Sequence, residues 1–176
     1  MNDLTNQLPP EIDFSSFDFT NLANSFLPDE IKSKSIGEKY LVFFLGEELY
    51  AVPTRQVAEV APSMPVTPLP NAPEWLKGIV NLRNEIVSVV FLPKLLGKQS
   101  PNVSPTKWKL VVLRSPDSAS LIGFTADRLS EIISLRSDEI RFEPDENSPF
   151  TIGKAVHLAN RLTLIDAEKI LSSLTV

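Results

Sequence analysis

The chain has 176 residues, a formal net charge of −5, 43% hydrophobic residues, one histidine and no cysteine. That length suits one domain or two small ones with a real core; the missing cysteines exclude a disulfide framework, thiol catalysis and cysteine-ligated metal, and the lone His157 excludes a histidine metal cluster. No apolar run reaches the roughly 18 residues of a membrane-spanning helix, and the N-terminus MNDLTNQLPPEIDF lacks the basic start and apolar centre of a signal peptide, so a cytoplasmic protein is expected.

Residues 1–39 hold seven acids and three bases, whereas the rest of the chain carries 15 acids and 14 bases, interspersed. A nearly neutral body has no field to draw in a phosphate backbone or an anionic membrane. Its contacts are expected to be apolar and shape-based, with neither nucleic acid nor membrane insertion among them. The first 39 residues show no sustained period of 2 or 3.6 and mix Pro, Asn, Ser and Asp with Phe14, Phe17, Phe19 and Phe26. They read as a flexible, disordered acidic extension. Acids interleaved with phenylalanines also fit a short partner-binding segment that folds on contact, with a solvated leader as the simpler reading.

From Tyr40 onward, YLVFFL and ELYAVP read as two strands joined by a tight turn at Gly46 and Glu47. TRQVAEVAP (54–62) predicts about two helical turns stopped by Pro62, and the proline-rich stretch to Pro73 predicts an extended, rigid connection. Asn71 can cap and Pro73 can open a short helical turn, EWLK, which Gly78 ends at positive φ. IVNL and EIVSVV then form a hairpin around Arg83 and Asn84, whose turn needs Asn84 and leaves Arg83 free. PKLLG follows as a short helical segment with Gly97 as its stop. Beyond the polar loop KQSPNVSPT the strand pattern resumes with WKLVVLR and SLIGFTAD, as if the sequence began again. RLSEIISLRSDEI and the polar EPDENSP lead to a strand pair, FTIGKAVHL and RLTLID, joined at Ala159 and Asn160, and to a terminal helix AEKILSSL. Each half closes with a hairpin bearing an Asn at its turn, then a short helical segment. Many short strands with frequent turn signals argue for small barrels, and the doubling argues for two.

Little in the chain carries chemistry. The six glycines never cluster into a phosphate-cradling loop. His157, in KAVHLAN, reads as a surface or half-buried strand residue rather than a base for a serine nucleophile. The adjacent acids Glu47 and Glu48, and Asp138 and Glu139, point to opposite faces beside turns and read as solvated. The cluster Lys107, Trp108, Lys109 has the character of an oligonucleotide-binding barrel, yet no wider basic stripe accompanies it, and Trp108 reads as packing at a strand start. No catalytic residue, cofactor or metal is expected.

Four stretches in register carry a family likeness. Y-x-V-x-x-x-x-V-x-E-V at 50–60, P-x-P-N-A-P-x-W-x-x-G-I-V-N-L-R at 68–83, LIGFTADRLSEIISLRSDEI at 121–140 and GKAVHLANRLTLIDAEKIL at 153–171 together resemble the CheW-like domain of bacterial chemotaxis systems. The resemblance implies a mainly β fold of two intertwined five-stranded SH3-like barrels with short helices over residues 40–176, preceded by the extension 1–39. It implies a non-catalytic signalling adaptor that couples methyl-accepting chemoreceptors to a CheA-type histidine kinase, in flagellar chemotaxis, phototaxis or type IV pilus twitching. One barrel would bind the regulatory domain of the kinase, and a groove between the barrels would take the cytoplasmic hairpin tip of the receptor, the chain being a monomer outside membrane receptor arrays to which it is recruited. Carried over by position, Val57 and Glu59 fall in the segment near the receptor and kinase contacts, and Gly78, Asn81 and Arg83 in the segment associated with receptor binding. Asn84, Ser88 and Phe91 stand where the family usually has Gly, Pro and Asp, and Phe91 is read either as a changed partner surface or as a better-filled core. Two alternatives stand beside the adaptor: a small nucleic-acid-binding barrel, and a CheW-like scaffold for another signalling partner.

Overall fold

A computed structural model describes residues 37–98, 108–114, 121–143 and 148–174. The expectations for the acidic extension up to residue 36, and for most of the polar loop KQSPNVSPT, lie outside the described residues.

In chain order the elements are β1 (Glu38–Leu45), β2 (Glu48–Pro53), β3 (Val57–Pro62), β4 (Leu76–Leu82), β5 (Glu85–Val90), the short helix α1 (Leu92–Leu95), β6 (Lys109–Arg114), β7 (Leu121–Ala126), β8 (Arg128–Leu135), β9 (Thr151–His157), β10 (Asn160–Ile165) and helix α2 (Ala167–Leu174). They form two five-stranded sheets, ordered β8-β1-β2-β10-β9 and β3-β6-β7-β5-β4. Backbone pairing does not close either into a ring. These are the two SH3-like barrels, and each runs through the same pairings: antiparallel, antiparallel, parallel, antiparallel. Each half of the chain gives its first two strands to one barrel and its next three to the other, which is how the barrels intertwine. The internal repeat is therefore a structural duplication, β1 to α1 answered by β6 to α2.

The registers fix which residues correspond. Val89 pairs with both Gly78 and Gly123, and Leu164 with both Gly153 and Ala51, so Gly78 and Gly153 occupy equivalent places. Thr67 bridges to Ile79 as Arg141 bridges to Lys154. Val60 lies opposite Val111 as Ile132 lies opposite Leu41, which makes Glu59 and Glu131 counterparts.

Burial follows the two-residue period of a strand. On β1, Tyr40 and Val42 point into the first barrel, while Leu41 and Phe43 join a central cluster between the barrels. That cluster takes Val111, Leu113, Ile122 and Phe124 from the second barrel, and the apolar faces of α1 and α2 seal it through Leu92, Ile170 and Leu171. The Phe43 and Phe124 rings, 4.9 Å apart and both fully buried, tie one barrel to the other. Each ring contributes about 1.5–3 kcal/mol by its burial, with about 0.5–1.5 kcal/mol more from the ring pair. Strands buried on both sides explain why the sequence reads as nearly continuous apolar runs.

Several local expectations are corrected. TRQVAEVAP is helical only in a 3-10 turn, Thr54–Gln56, after which β3 forms. Here the β-branched Val57 and Val60 and the free edge of β6 outweigh a weak local helix preference. EWLK is not helical: Glu74 and Trp75 form a turn, and Leu76, whose N–H donates to the Pro73 carbonyl at 2.9 Å, opens β4. Gly78 does have a positive φ, 141°, but inside β4, where the register against β5 slips. The second hairpin turns at Leu158 and Ala159, with φ of 48° and 63°, one residue earlier than Ala159 and Asn160. Trp108 packs against the core of the second barrel, as expected of a strand-start residue.

Candidate functional site

The hairpin of β4 and β5 turns through Arg83 and Asn84, whose φ values are 52° and 69°. Two consecutive left-handed residues define a type I′ turn, the connection whose twist matches that of the flanking strands. Asn84 enters this region easily. Arg83 does not, since a side chain with no local hydrogen bond to offer is penalised there by about 1–2 kcal/mol. The expectation that the turn leaves Arg83 free is thus corrected: the backbone asks for Asn or Gly and the sequence supplies an arginine. Asn81 steadies the loop, its Oδ1 accepting the Asn84 N–H at 3.1 Å.

Gly78 sits lower on β4 and is buried. A Cβ there would overlap the Thr67 carbonyl oxygen, so only glycine lets the proline-rich connection lie on the strand. The connection is held by paired hydrogen bonds, Thr67 N–H to the Ile79 carbonyl at 2.8 Å and Ile79 N–H to the Thr67 carbonyl at 2.9 Å.

β3 and β4 stand at opposite ends of their sheet, yet the Arg83 guanidinium lies 3.4 Å from a Glu59 carboxylate oxygen. The curl of the sheet has brought its two ends together. The Arg83 side chain remains 80% exposed against 26% for Glu59. An ion pair so open to water adds about 0–1 kcal/mol to stability, and it leaves most of the guanidinium donors facing solvent. Val57, half-buried, packs against the cluster between the barrels. Of the five residues singled out by sequence, Glu59, Asn81 and Arg83 gather at one end of the second barrel. Gly78 shapes the strand beneath them, and Val57 belongs to the packing that joins the barrels.

One residue at this surface escaped the sequence. Ile86, 57% exposed, is the cross-strand partner of Asn81 and extends the polar tip with an apolar contact. EIVSVV reads as uniformly buried because Val87, Val89 and Val90 are buried, and nothing in the run marks Ile86 as the exception. Nearby, the Lys77 ammonium lies 5.2 Å from the centre of the Phe91 ring, and burial lowers its pKa. Half-buried Phe91 thus offers its ring face to the Lys77 cation.

Three of the four acids considered for catalysis, all but Glu47, meet a neighbour. Glu48 accepts from the Tyr50 hydroxyl at 2.6 Å and from Lys98 at 3.2 Å, and its pKa is lowered chiefly by the tyrosine. Asp138 and Glu139 pair with Arg136. His157, half-buried on β9, meets Glu131 at 3.0 Å. No group of three or more His, Cys, Asp or Glu side chains among the described residues is placed to hold a metal ion, and no described helix is long and apolar enough to cross a membrane.

Residues 39–175 match the sequence profile of the CheW-like domain. The chain is 28% identical over 148 residues to the chemotaxis protein CheW of Klebsiella aerogenes, a match covering 82% of this chain and 87% of the relative. It is also 28% identical over 142 residues to the chemotaxis protein CheW of Thermotoga maritima, covering 77% of this chain and 89% of that one. The crystal structure of the scaffolding protein TtCheW from Thermoanaerobacter tengcongensis superposes with a TM-score of 0.65 at 27% identity, covering 74% of this chain and 84% of that one. The duplicated barrels, the glycine under the hairpin and the matches in sequence and structure agree: this chain belongs to the CheW-like family of non-catalytic chemotaxis scaffold proteins.

Proposed function

We propose that this protein couples methyl-accepting chemoreceptors to a CheA-type histidine kinase, and that the end of the second barrel bearing Glu59, Asn81, Ile86 and Arg83 is its receptor-tip surface. The observation that carries the reading is Arg83 itself. An arginine held in a backbone conformation that favours other residues, with a guanidinium mostly open to solvent, is poorly explained by stability. Strain retained at an exposed position points to a contact, and arginine beside an exposed apolar residue is a common anchor composition at interfaces. Glu59 orients the guanidinium without consuming it. The kinase regulatory domain is the second partner of the same adaptor, and the body has the near-neutral charge of a surface that binds by shape. The chain would work among the cytoplasmic tips of receptor arrays. No cofactor enters this function.

The test is a titration of the full chain, wild type and Arg83→Glu, against a receptor-tip helical hairpin and, separately, against the kinase regulatory domain. Reversing the charge of an anchor is expected to weaken receptor-tip binding by about 2 kcal/mol or more, roughly 30-fold. Unchanged affinity in a folded Arg83→Glu protein would remove the anchor role. Failure of the wild-type chain to bind either partner would leave a CheW-like scaffold for a different signalling protein.

A further inference from the structure

The duplication lets a residue of one copy be compared with its counterpart in the other. Trp75 to Leu92 correspond position by position to Phe150 to Ala167: the Phe91 N–H donates to the Trp75 carbonyl at 2.6 Å, as the Asp166 N–H does to the Phe150 carbonyl at 2.8 Å. On the outward hairpin faces Ile79, Asn81, Ile86 and Ser88 are answered by Lys154, Val156, Arg161 and Thr163 in the same cross-strand register. Exchanges at such positions ask little of the frame. Those at Lys77 and Phe91 ask more.

Lys77 is the extra residue of a β-bulge. The register passes from Leu76 opposite Val90 to Gly78 opposite Val89, which leaves Lys77 without a partner across the ladder. In the first barrel the bulge falls on Ile152, whose side chain packs against the apolar core. A bulge re-aims the side chain it carries. Here it brings an ammonium to 5.2 Å from the centre of the Phe91 ring and 3.5 Å from the buried Thr125 hydroxyl. Phe91 in turn stands where the first barrel has Asp166, which caps α2 by accepting the Lys169 N–H at 2.9 Å. Phe91 gives α1 no side-chain cap and forgoes that stabilisation.

The fold gains from neither choice. An ammonium has three donors, and the long contact with Thr125 is the one hydrogen bond that Lys77 makes among the described residues. None of their carboxylates pairs with it: Asp127, whose charge it feels, accepts the Gly46 N–H at 2.6 Å instead. Burial outweighs that attraction and lowers the Lys77 pKa, which marks a cation partly stripped of water and not neutralised. Lys77 as a whole residue is exposed, so its ammonium can be reached from solvent. An under-neutralised cation beside a ring face suits a carboxylate whose apolar stem lies on the ring.

We propose that Lys77, Phe91 and Thr125 form a docking site for an acidic side chain of the receptor tip, a second anchor on the strand whose far end leads into Arg83. The assignment rests on the receptor-tip reading of that far end. Six positions separate the two cations, about 20 Å of strand, and two packed helices, each about 10 Å across, present the same width. Taking the acid from the partner and not from position 91 makes the site selective. A tip with a neutral or basic side chain here leaves the Lys77 cation covered and unpaired.

The full chain, as wild type, Arg83→Glu, Lys77→Met, Phe91→Asp and Phe91→Asn, is titrated against a receptor-tip helical hairpin and against the kinase regulatory domain. Lys77→Met should weaken tip binding about 10-fold, with unchanged kinase-domain affinity and a urea midpoint no lower than that of wild type. Phe91→Asp places a carboxylate on the ammonium in cis and should cost a similar factor, whereas Phe91→Asn removes the ring without adding charge and should cost about threefold or less. Replacing the acids of the tip singly by their amides should reveal one whose loss weakens wild type about 10-fold and Lys77→Met no further. Unchanged tip affinity in Lys77→Met, with Arg83→Glu weakened, would overturn the second anchor and leave the receptor reading standing. A wild-type chain that ignores the tip would overturn both. A loss directed at the kinase domain, a lowered midpoint in Lys77→Met, or the absence of any coupled acid on the tip would each overturn the proposal alone.

Discussion

Replacing Arg83 by Asn sets stability against binding. The first central residue of the β4–β5 turn has φ 52°. For an arginine that conformation is penalised by about 1–2 kcal/mol, and asparagine, a preferred occupant of type I′ turns, relieves most of the penalty. Against this stands the loss of the Glu59 pair, whose arginine is 80% exposed; its contribution is about 0.5 kcal/mol. The net expectation for Arg83→Asn is a gain of about 0.5–1 kcal/mol, or roughly 1–4 °C in Tm for a chain of this size. Urea unfolding followed by tryptophan fluorescence should show a higher midpoint with an unchanged slope. Receptor-tip affinity of the same protein should fall, because the guanidinium is gone. A loss of about 0.5 kcal/mol or more in stability would refute the strain argument and make the Glu59 pair a structural device. Glu59→Gln separates the two: it removes the ionic pair without touching the turn, and should lower stability by less than about 0.5 kcal/mol.

Three further outcomes follow from the geometry. Gly78→Ala should destabilise by about 3 kcal/mol or more, combining left-handed strain with loss of the paired Thr67 hydrogen bonds; Gly153→Ala, where a Cβ would overlap the Arg141 carbonyl, should be nearly as damaging, and either variant unfolding within about 1 kcal/mol of wild type would mean the connection simply moves aside. Ala159→Gly, at φ 63°, should raise stability by about 0.5–1 kcal/mol in the same urea assay, and a decrease would show that the turn gains from its methyl group. The folded-state pKa of Glu48 is lowered chiefly by the Tyr50 hydroxyl, so its contribution is present above the unfolded carboxylate value and is lost as pH falls through the folded one. Tyr50→Phe should therefore cost more stability near pH 7 than at a pH below the folded-state value of Glu48, where the protonated carboxyl gains little from the tyrosine; an equal loss at both would show that the hydroxyl contributes independently of the Glu48 charge.

Elements were legible wherever one local rule was decisive. YLVFFL and ELYAVP, with Gly46 at positive φ between them, formed the expected hairpin, and AEKILSSL formed the closing helix. TRQVAEVAP and EWLK were misread because their outcome depends on partners far away in sequence: the edge of β6 for the first and the β5 ladder for the second. Tertiary pairing of this sort overrides local propensity. The exchange of strands between barrels was not legible from the pattern of residues, since periodicity says that a strand has two buried faces but not which barrel each face belongs to. It came from the family resemblance. At the site, the types of residue were legible and their conformations were not. No spacing rule places Arg83 in the left-handed region, and none shows Glu59 meeting it across the curl of the sheet.

The duplication separates what is scaffold from what is contact. Positions that the two halves keep alike are those where the backbone leaves little choice: a buried glycine under a crossing connection at Gly78 and Gly153, and a pair of left-handed residues at each hairpin tip. An acid recurs on the exchanged strand, and in both barrels it meets a base on the opposing hairpin, Glu59 with Arg83 and Glu131 with His157. Requirements shared by both copies are explained by the fold. What differs is carried by side chains that the frame leaves unspecified: an arginine at one tip and an exposed leucine at the other, an uncharged outward face on one hairpin and a basic one on its counterpart. If the frame alone set the choice of partner, two equivalent hairpins would present equivalent surfaces. They do not, and on the proposed function discrimination between partners would reside in these few outward residues. Substitutions that move a partner from one barrel to the other should be found there, and not in the buried apolar clusters.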